Sequence, residues 1–277
     1  MSTPSADPSR VEPVEHVEVR LRRATRRGLL TAGISLLAGY GGYRWLVGSP
    51  NDSGIAWPLR RVLRGNERLA LATFQPNRLA PEFAPTRALA PRVNGMIGMT
   101  TPNPPAPGLD PSAWRLSVSG GTLGRDNRLV SLDEIKALPR HEQITELKCI
   151  EGWSTVVRWA GARLADLAAT TGLASRSGAP FDPAHPSKDL YDYVGMATPD
   201  GGYYVGLDSP SAFHPQTLLC YEMNGRPLSP NHGAPLRLVI PLKYGIKNIK
   251  KIGTIQFTDR RPDDYWAKLG YDYFAGH

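Results

Sequence analysis

Short stretches from Trp114 onwards alternate apolar and polar residues, which is the pattern of half-buried β-strands. The stretch W-R-L-S-V-S-G at Trp114 shows this alternation, and residues 144–150 form a second predicted strand, which delivers Cys149. Further strands are predicted in D-L-Y-D-Y-V-G-M-A-T, Y-Y-V-G-L-D, P-L-R-L-V-I-P-L and K-I-G-T-I-Q-F-T-D. The pattern therefore predicts many short strands.

Three segments carry helical signals. Residues 59–74 have helical spacing, and S-L-D-E from Ser131 forms a capping box that opens a short helix ending before Pro139. In A-R-L-A-D-L-A-A-T-T-G the apolar residues share one helical face, and Gly172 is the expected stop. Short helices among short strands, separated by long Pro/Gly loops, predict an α+β fold rather than a doubly wound α/β sheet.

The composition is that of an ordinary globular protein. Of its 277 residues, 41% are hydrophobic and 21% charged, with 26 Pro and 28 Gly that favour turns and loops. The formal net charge is +8. No run interleaves basic with aromatic residues as a nucleic-acid groove would, so we expect no nucleic-acid partner.

The N-terminus has the features of an export signal. T-R-R-G-L-L from Thr25 resembles a twin-arginine motif and opens an uncharged run over residues 28–43. That run is shorter than the roughly 20 residues of a membrane-spanning helix. It reaches this length only if it is extended past the charged residue Arg44. We predict a cytoplasmic basic arm (1–27), then a signal or anchor helix (28–48), and a periplasmic location. Cleavage, anchoring to the inner membrane, and a plain basic arm on an apolar helix stay open.

Two stretches carry candidate chemistry. The first is C-I-E-G-W-S from Cys149, and the second begins at His232 as H-G-A-P-L-R-L-V-I-P-L-K-Y-G-I-K-N-I-K. Taken alone, Cys149 could be a buried small hydrophobe, a disulfide partner of Cys220, a nucleophile or a metal ligand. The basic run could be a solvated face, or an anion site in which Arg237 offers a planar fork and Lys250 a compact charge.

Several cofactor signatures are missing from the sequence. It has no G-x-S-x-G, P-loop or dinucleotide fingerprint, so we do not expect nicotinamide or flavin on this chain. The six histidines show no ligand spacing, so we expect no zinc site. Electrons must therefore be exchanged with another protein.

Together the two motifs resemble the oxidoreductase molybdopterin-binding domain of the sulfite oxidase fold. Within that fold the chain is most similar to the bacterial periplasmic protein-methionine-sulfoxide reductase catalytic subunits. The resemblance covers residues 90–277 and extends to H-P-Q-T-L-L-C-Y-E-M-N-G-R-P-L and F-T-D-R-R-P-D-D-Y-W. It implies a sulfite oxidase-type α+β fold, a catalytic domain over 90–277 after a linker and short helical segment (49–89), and a molybdenum-molybdopterin cofactor.

The resemblance also implies site residues. Cys149 matches the family's molybdenum ligand and is the predicted catalytic residue, while Cys220 is expected to be structural. His232 stands where the sulfoxide-reductase branch has Asn and the sulfite oxidase branch has His. Asn94 precedes a glycine and could equally be a plain turn. The implied cofactor contacts are Asn94, Ile97, Gly98, Thr198, His232, Arg237, Asn248, Ile249 and Lys250.

The implied activity is a two-electron oxygen-atom transfer. We expect reduction of a sulfoxide-type substrate, small or protein-bound, with electrons from a membrane haem protein. One alternative is a sulfite dehydrogenase that acts on the oxyanion and passes electrons to a cytochrome. Another is a non-catalytic scaffold of the same fold that has lost its metal. The Cys149 motif lacks the Gly-Asn-Arg of sulfite oxidases and favours the sulfoxide-reductase branch. The chain ends soon after K-Y-G-I-K, so we expect a monomer.

Overall fold

The fold is described from a computed structural model of the chain, which covers residues 14–52, 55–75, 78–89, 93, 110–120, 126–183 and 188–277. The predicted sites Asn94, Ile97 and Gly98 lie outside the described residues. The helices are α1 (Val14–Gly48), α2 (Trp57–Thr73), α3 (Leu132–Lys136), α4 (Leu164–Thr171), α5 (Ser209–Ala212) and α6 (Tyr265–Lys268). The strands are β1 (Asn51–Asp52), β2 (Ile55–Ala56), β3 (Arg115–Gly120), β4 (Asp126–Ser131), β5 (Arg140–Lys148), β6 (Ser154–Arg163), β7 (Tyr193–Ala197), β8 (Tyr204–Asp208), β9 (Leu218–Met223), β10 (Arg226–Pro227), β11 (Arg237–Val239) and β12 (Thr254–Thr258).

Two five-stranded sheets form the body of the fold. The first has the order β4-β3-β12-β7-β8, in which β12 is parallel to β3 and the other pairs are antiparallel. The second has the order β10-β9-β6-β5, and β11 also pairs with β9. All its pairs are antiparallel. The α+β class predicted from the sequence is confirmed.

Apolar side chains from both sheets share one core. Val118 and Phe257 enter it from the first sheet, Leu219 and Leu238 from the second, and Leu164 from helix α4. A smaller cluster covers the other face of the second sheet and contains Leu147, Val157, Trp159, Leu218, Cys220 and Val239. That face also carries the candidate site described below.

Local signals in the sequence match the observed element ends. The Ser131 hydroxyl accepts the backbone N–H of Glu134, whose carboxylate accepts the N–H of Ser131, so the capping box opens α3 as predicted. Helix α4 ends at Gly172, which has the left-handed φ of +68° that favours glycine. Strand β5 ends at Lys148, one residue before Cys149.

Contacts divide the chain into two compact units. The smaller comprises residues 1–52 and 56–59, and the larger comprises residues 53–55 and 60–277. Within the larger unit, the segment after residue 60 contains most of helix α2, where the sequence predicts a helix over residues 59–74, and it contacts the rest of the unit. Glu67 Oε2 lies 2.6 Å from Arg261 Nη1, and the Phe83 N–H donates to the Ile144 carbonyl at 2.9 Å.

The smaller unit is dominated by helix α1. The predicted helix began at residue 28, but α1 begins at Val14, so the arginine cluster is helical as well. Leu29, Leu36 and Trp45 are among its exposed large apolar side chains. Within the described part of the chain, no helix has both the length and the apolar character needed to cross a bilayer.

Candidate functional site

Cys149 lies in the tight turn that joins β5 to β6. Its N–H donates to the Trp153 carbonyl at 2.9 Å, and its own carbonyl accepts the N–H of Gly152 at 3.2 Å. Gly152 has a φ of +86°, a conformation that side chains with a Cβ rarely adopt. Cys149 and Cys220 are both buried and both free, so the structure contains no disulfide between them.

The second motif packs directly behind this turn. Residues Gly245–Lys247 form a short 3-10 helix. A Cβ placed on Gly245 would lie 3.4 Å from the Lys148 carbonyl oxygen and 3.8 Å from the Cys149 Cα. The fold therefore brings K-Y-G-I-K against C-I-E-G-W-S, although the two motifs are far apart in sequence.

Arg237 is a deeply buried cation of the site. It is 3% exposed, and its guanidinium carbon lies 4.8 Å from the centroid of the Trp159 ring. Its Nη1 and Nη2 donate to the carbonyls of His232 (3.2 Å) and Asn248 (3.3 Å). No carboxylate of the described residues lies within ion-pair distance of Arg237, and burial lowers its pKa to about 10. A buried cation held only by carbonyls favours the arrival of an anion.

Lys250 lies beside Arg237, because the two residues form an isolated antiparallel bridge. It is 6% exposed, and its Nζ donates to the Asn231 carbonyl at 3.2 Å. Burial, together with the charges of Arg237 and Lys251, lowers the pKa of Lys250 to about 7, while Cys149 acts in the opposite direction. The Cys149 thiol and the cation pair therefore belong to one electrostatic neighbourhood.

His232 ends a 3-10 helix, Pro230–His232, at the rim of this cluster. Burial lowers the pKa of His232 to about 4, assisted by the charges of Arg237 and Lys250, so its ring is neutral near pH 7. The next residue, Gly233, has a φ of +103°, and its carbonyl accepts the Lys251 N–H at 3.3 Å. The turn at His232 and Gly233 thus lies against both Arg237 and Lys250.

Asn248 and Ile249 are in place but engaged within the chain. The Asn248 Oδ1 accepts the Ile240 N–H at 2.9 Å, and its Nδ2 donates to the Tyr244 carbonyl at 3.2 Å. Ile249 is 1% exposed, and its carbonyl accepts the Leu238 N–H at 2.8 Å. Both residues fix the backbone from which Arg237 and Lys250 project.

Thr198 lies at a different sheet end, in the turn between β7 and β8. Its hydroxyl donates to Asp200 Oδ1 at 2.6 Å and accepts the Tyr203 N–H at 3.1 Å. Burial lowers the pKa of Lys251, and the charge of Asp200 acts in the opposite direction. Thr198 is therefore connected to the cation cluster through Asp200 and Lys251.

Sequence reasoning missed some contributors to the site. Trp159 supplies the surface under Arg237, and Gly233 allows the close approach of the His232 turn to Lys250. Trp159 lies two residues after Val157, which is the spacing of side chains on one face of a strand. This spacing is the signal by which the sequence could have indicated its position. Beside Cys149, the Trp153 Nε1 donates to Glu151 Oε2 at 2.9 Å, so these two side chains form a pair at the turn.

The donor set fits a molybdopterin cofactor bound through its phosphate and its metal. Arg237 and Lys250 provide two buried cations, which a phosphate would neutralise. Cys149 offers one soft thiolate for a metal that is otherwise held by the cofactor's own sulfurs. Among the residues that the structure describes, no group of three or more His, Cys, Asp or Glu could hold a metal ion alone. A single-thiolate site does not need such a group. The site is that of an oxidoreductase whose metal comes with an anionic organic cofactor.

The family match agrees with this class. Residues 103–266 match the family described as "Oxidoreductase molybdopterin binding domain", so the chain belongs to that family. It is a molybdenum-dependent oxidoreductase with a molybdenum-molybdopterin cofactor, and the predicted molybdopterin-binding fold is confirmed. The scaffold alternative is not retained.

Known relatives share this domain to different extents. A protein of Azospira oryzae with the provisional name protein-methionine-sulfoxide reductase subunit YedZ1 is 31% identical over 95% of this chain and 90% of that protein. The protein-methionine-sulfoxide reductase catalytic subunit MsrP of Xanthomonas campestris is 36% identical over 64% of this chain and 55% of its own length. The chain thus spans about half the length of the MsrP relatives that it matches. The crystal structure of the sulfane dehydrogenase SoxCD from Paracoccus pantotrophus has a TM-score of 0.46 at 17% identity, covering 65% of this chain and 47% of that chain. The family assignment rests on the sequence match.

Proposed function

We propose that the chain is an exported reductase of methionine sulfoxide that receives its electrons from a membrane redox partner. The observation that carries the proposal is the placement of the Cys149 turn beside the buried cations Arg237 and Lys250. The names of the YedZ1 and MsrP relatives support the sulfoxide as substrate. In the net reaction the S=O bond breaks, two protons and two electrons enter, and a thioether and water leave.

The cofactor supplies the two-electron chemistry when it is bound, and the chain supplies position and charge. We propose that Cys149 binds the molybdenum and that Arg237 and Lys250 bind the cofactor's phosphate. His232, neutral near pH 7, adds a hydrogen-bonding ring without adding charge. Asn248 and Ile249 act through the backbone they hold, and Thr198 through Asp200 and Lys251. Asn94, Ile97 and Gly98 stay part of the proposed cofactor site.

We also propose that the chain works in the periplasm after twin-arginine export. The T-R-R-G-L-L motif at Thr25 and the exposed apolar residues of α1 support this location. The proposed segments are the basic arm (1–27), the signal or anchor helix (28–48), the linker and short helical segment (49–89) and the catalytic domain (90–277). A membrane haem protein or cytochrome is the proposed electron donor.

The first test is the molybdenum content of protein purified after export, measured for the wild type, Cys149→Ser and Cys220→Ser. We expect close to one molybdenum per wild-type chain, a loss in Cys149→Ser, and retention in Cys220→Ser. Cys220 is the matched control because it is a fully buried thiol whose pKa is raised to about 12 by burial. Equal molybdenum in the two variants would refute the ligand assignment.

The second test decides the substrate and direction. A sulfite dehydrogenase is the second candidate, because His232 is the residue that the sulfite oxidase branch carries at this position. Purified enzyme is assayed with a reduced dye plus methionine sulfoxide, and with an oxidised dye plus sulfite. Turnover in the first assay alone supports the proposal, whereas turnover with sulfite alone supports the alternative.

A further inference from the structure

Exposed apolar side chains of the larger unit are concentrated around helix α2. Among the described residues after residue 60, eight large apolar side chains are exposed, and five of these lie on α2, after α2 or after α6. Single exposed apolar residues are ordinary, whereas a concentration of them marks an interaction surface. The five are Val62 (60%), Leu69 (66%), Leu79 (57%), Leu269 (60%) and Tyr271 (44%).

The outer side of α2 carries two neighbouring stripes of residues. Within each stripe the residues recur at intervals of three and four, so they lie above one another along the helix. One stripe is basic and the other is uncharged, and the members of both are exposed. The basic stripe is Arg61, Arg64 and Arg68, and the uncharged stripe is Val62, Gly65, Leu69 and Ala72.

The one acidic residue of α2 lies on the opposite, inner side of the helix. Glu67 is 6% exposed, and its Oε2 lies 2.6 Å from Arg261 Nη1. On the same side, Arg60 Nη1 donates to the Ala267 carbonyl at 2.6 Å. The inner side of α2 is thus bound to the stretch 260–272, while the outer side presents positive charge. An anionic surface would complement that charge.

The stretch 260–272 adds apolar and aromatic residues to this surface. Leu269 and Tyr271 are exposed, and Gly270 between them packs on Ile55, since a Cβ added to Gly270 would lie 2.9 Å from the Ile55 Cδ1. The rings of Tyr271 and Trp266 meet edge to face with their centroids 5.0 Å apart. Tyrosine and tryptophan favour the level of lipid headgroups, where the ring is buried and the polar atom stays hydrated.

We propose that the outer side of α2, together with Leu269 and Tyr271, docks the larger unit on a bilayer surface that contains anionic phospholipids. The arginines bind headgroup phosphates, while Val62 and Leu69 enter the boundary between headgroups and acyl chains. The apolar residues are interleaved with arginines and do not form one pocket for an anchoring side chain, which favours a lipid surface over a protein partner.

The position of α2 in the chain supports the same occupant. Only residues 49–56 separate α2 from α1, which contains the proposed signal or anchor helix. A chain that is held to the membrane by residues 28–48 therefore has α2 next in order after the anchor. This inference rests on the proposed function and adds the surface by which the larger unit meets the membrane of its electron donor.

The test places a fluorophore at two leucine positions of similar exposure. Leu69→Cys on α2 (66% exposed) and Leu129→Cys on β4 (62% exposed) are labelled with the environment-sensitive fluorophore NBD. The native Cys149 and Cys220 are buried, so labelling is directed to the new thiol. The full chain, loaded with molybdenum, is titrated with phosphatidylcholine vesicles that contain or lack phosphatidylglycerol. We expect the emission at position 69 to move to shorter wavelength only with phosphatidylglycerol, and the emission at position 129 to stay unchanged.

A second pair of variants tests the role of charge. In the chain labelled at position 69, Arg64→Gln with Arg68→Gln should raise the vesicle concentration for half of the shift by about tenfold or more, because each arginine at an anionic surface strengthens binding. Arg128→Gln with Arg226→Gln is the matched control, since it removes two exposed arginines of other elements. Equal effects of the two pairs would overturn the assignment of the surface to α2.

The outcomes separate the inference from the proposed function. The inference is wrong if the fluorophore at position 69 does not respond to anionic vesicles, or if both positions respond alike. It is also wrong if only native membrane vesicles with their proteins cause the shift, because the surface then binds a protein. Reduction of methionine sulfoxide by a reduced dye is measured on the same samples. Turnover without docking refutes the inference alone, and docking without turnover refutes the proposed function alone.

Discussion

Gly233 and Lys250 approach so closely that a Cβ added to Gly233 would lie 2.9 Å from the Lys250 Cβ and 3.1 Å from its Cα. The same added atom would lie 3.2 Å from the Cβ of Arg237. Gly233 also has a φ of +103°. Both proposed phosphate-binding cations are therefore positioned against one glycine, and any side chain at this position must move them.

We expect Gly233→Ala to lower both the free energy of unfolding and cofactor retention. The left-handed backbone costs about 1–2 kcal/mol for a residue with a Cβ, and forcing a methyl group into a filled site adds about 1–3 kcal/mol. Urea unfolding of the cofactor-free protein and pterin content after gel filtration measure the two effects.

Gly225→Ala is the control for the backbone contribution. Gly225 has a φ of +75°, but nothing lies within 4 Å of its added Cβ. We expect Gly225→Ala to lower the free energy of unfolding by less than Gly233→Ala does, with a difference of at least about 1 kcal/mol. Only the backbone cost applies at Gly225. Equal losses, or full pterin content in Gly233→Ala, would show that this contact does not position the cations.

Arg237→Lys should weaken cofactor retention even though it keeps the charge. Lysine lacks the planar fork that donates to the carbonyls of His232 and Asn248 and stacks on Trp159. Each lost hydrogen bond to a charged group is worth about 1.5–3 kcal/mol, so retention should fall by roughly tenfold or more. Pterin fluorescence of the gel-filtered protein measures it. Arg226→Lys on the exposed strand β10 should retain the wild-type content, and the assignment fails if the two variants behave alike.

His232 should make the cofactor-free protein less stable in mild acid. Its pKa is lowered to about 4 in the folded chain, against about 6.5 when unfolded. Between these values the unfolded state binds the proton and the folded state does not. The free energy of unfolding therefore falls as the pH drops from about 6.5 to about 4, by at most about 1.4 kcal/mol per pH unit for one proton.

His232→Asn removes this titration and keeps a side chain that can form hydrogen bonds. Urea unfolding of both proteins at pH 7.0, 5.5 and 4.5 compares their pH profiles. We expect a shallower acid loss in the variant. Parallel profiles would mean that other groups cause the acid sensitivity.

Alternation along the sequence predicts those strands that bury one side only. Strand β3 alternates between exposed and buried positions, and its alternation was visible in W-R-L-S-V-S-G. Strands β6 and β9 were missed because they are buried on both faces through most of their length, so their residues show no alternation. Both strands lie in the interior of the second sheet.

For the site, the sequence predicts chemical types more readily than contacts. The cysteine and the basic run were identified through the resemblance of the two motifs to the molybdopterin-binding family, because each motif alone left plainer alternatives open. The contacts of Gly245 with Cys149 and of Trp159 with Arg237 join residues far apart in the chain. Such contacts depend on how β11 pairs with β9, and no local pattern encodes that register.

A buried ion pair holds the 3-10 helix behind Cys149. Lys247 Nζ lies 2.5 Å from Asp264 Oδ2, and both side chains are almost fully buried (1% and 2% exposed). The same Nζ donates to the Gly206 carbonyl at 2.9 Å. Removing one partner leaves an uncompensated buried charge, which costs about 3–5 kcal/mol. We therefore expect Lys247→Met to lower the free energy of unfolding by that amount.

The neighbouring exposed pair is the control for this last prediction. Lys268 Nζ lies 2.7 Å from Asp263 Oδ2, but the two side chains are 40% and 73% exposed. Lys268→Met should therefore change the free energy of unfolding by no more than about 1 kcal/mol. Urea unfolding of both cofactor-free variants gives the comparison, and molybdenum content reports on the Cys149 turn. If Lys247→Met unfolds like Lys268→Met, the Asp264 carboxylate must find another partner. The buried pair would then not be what holds residues 245–247 against Cys149.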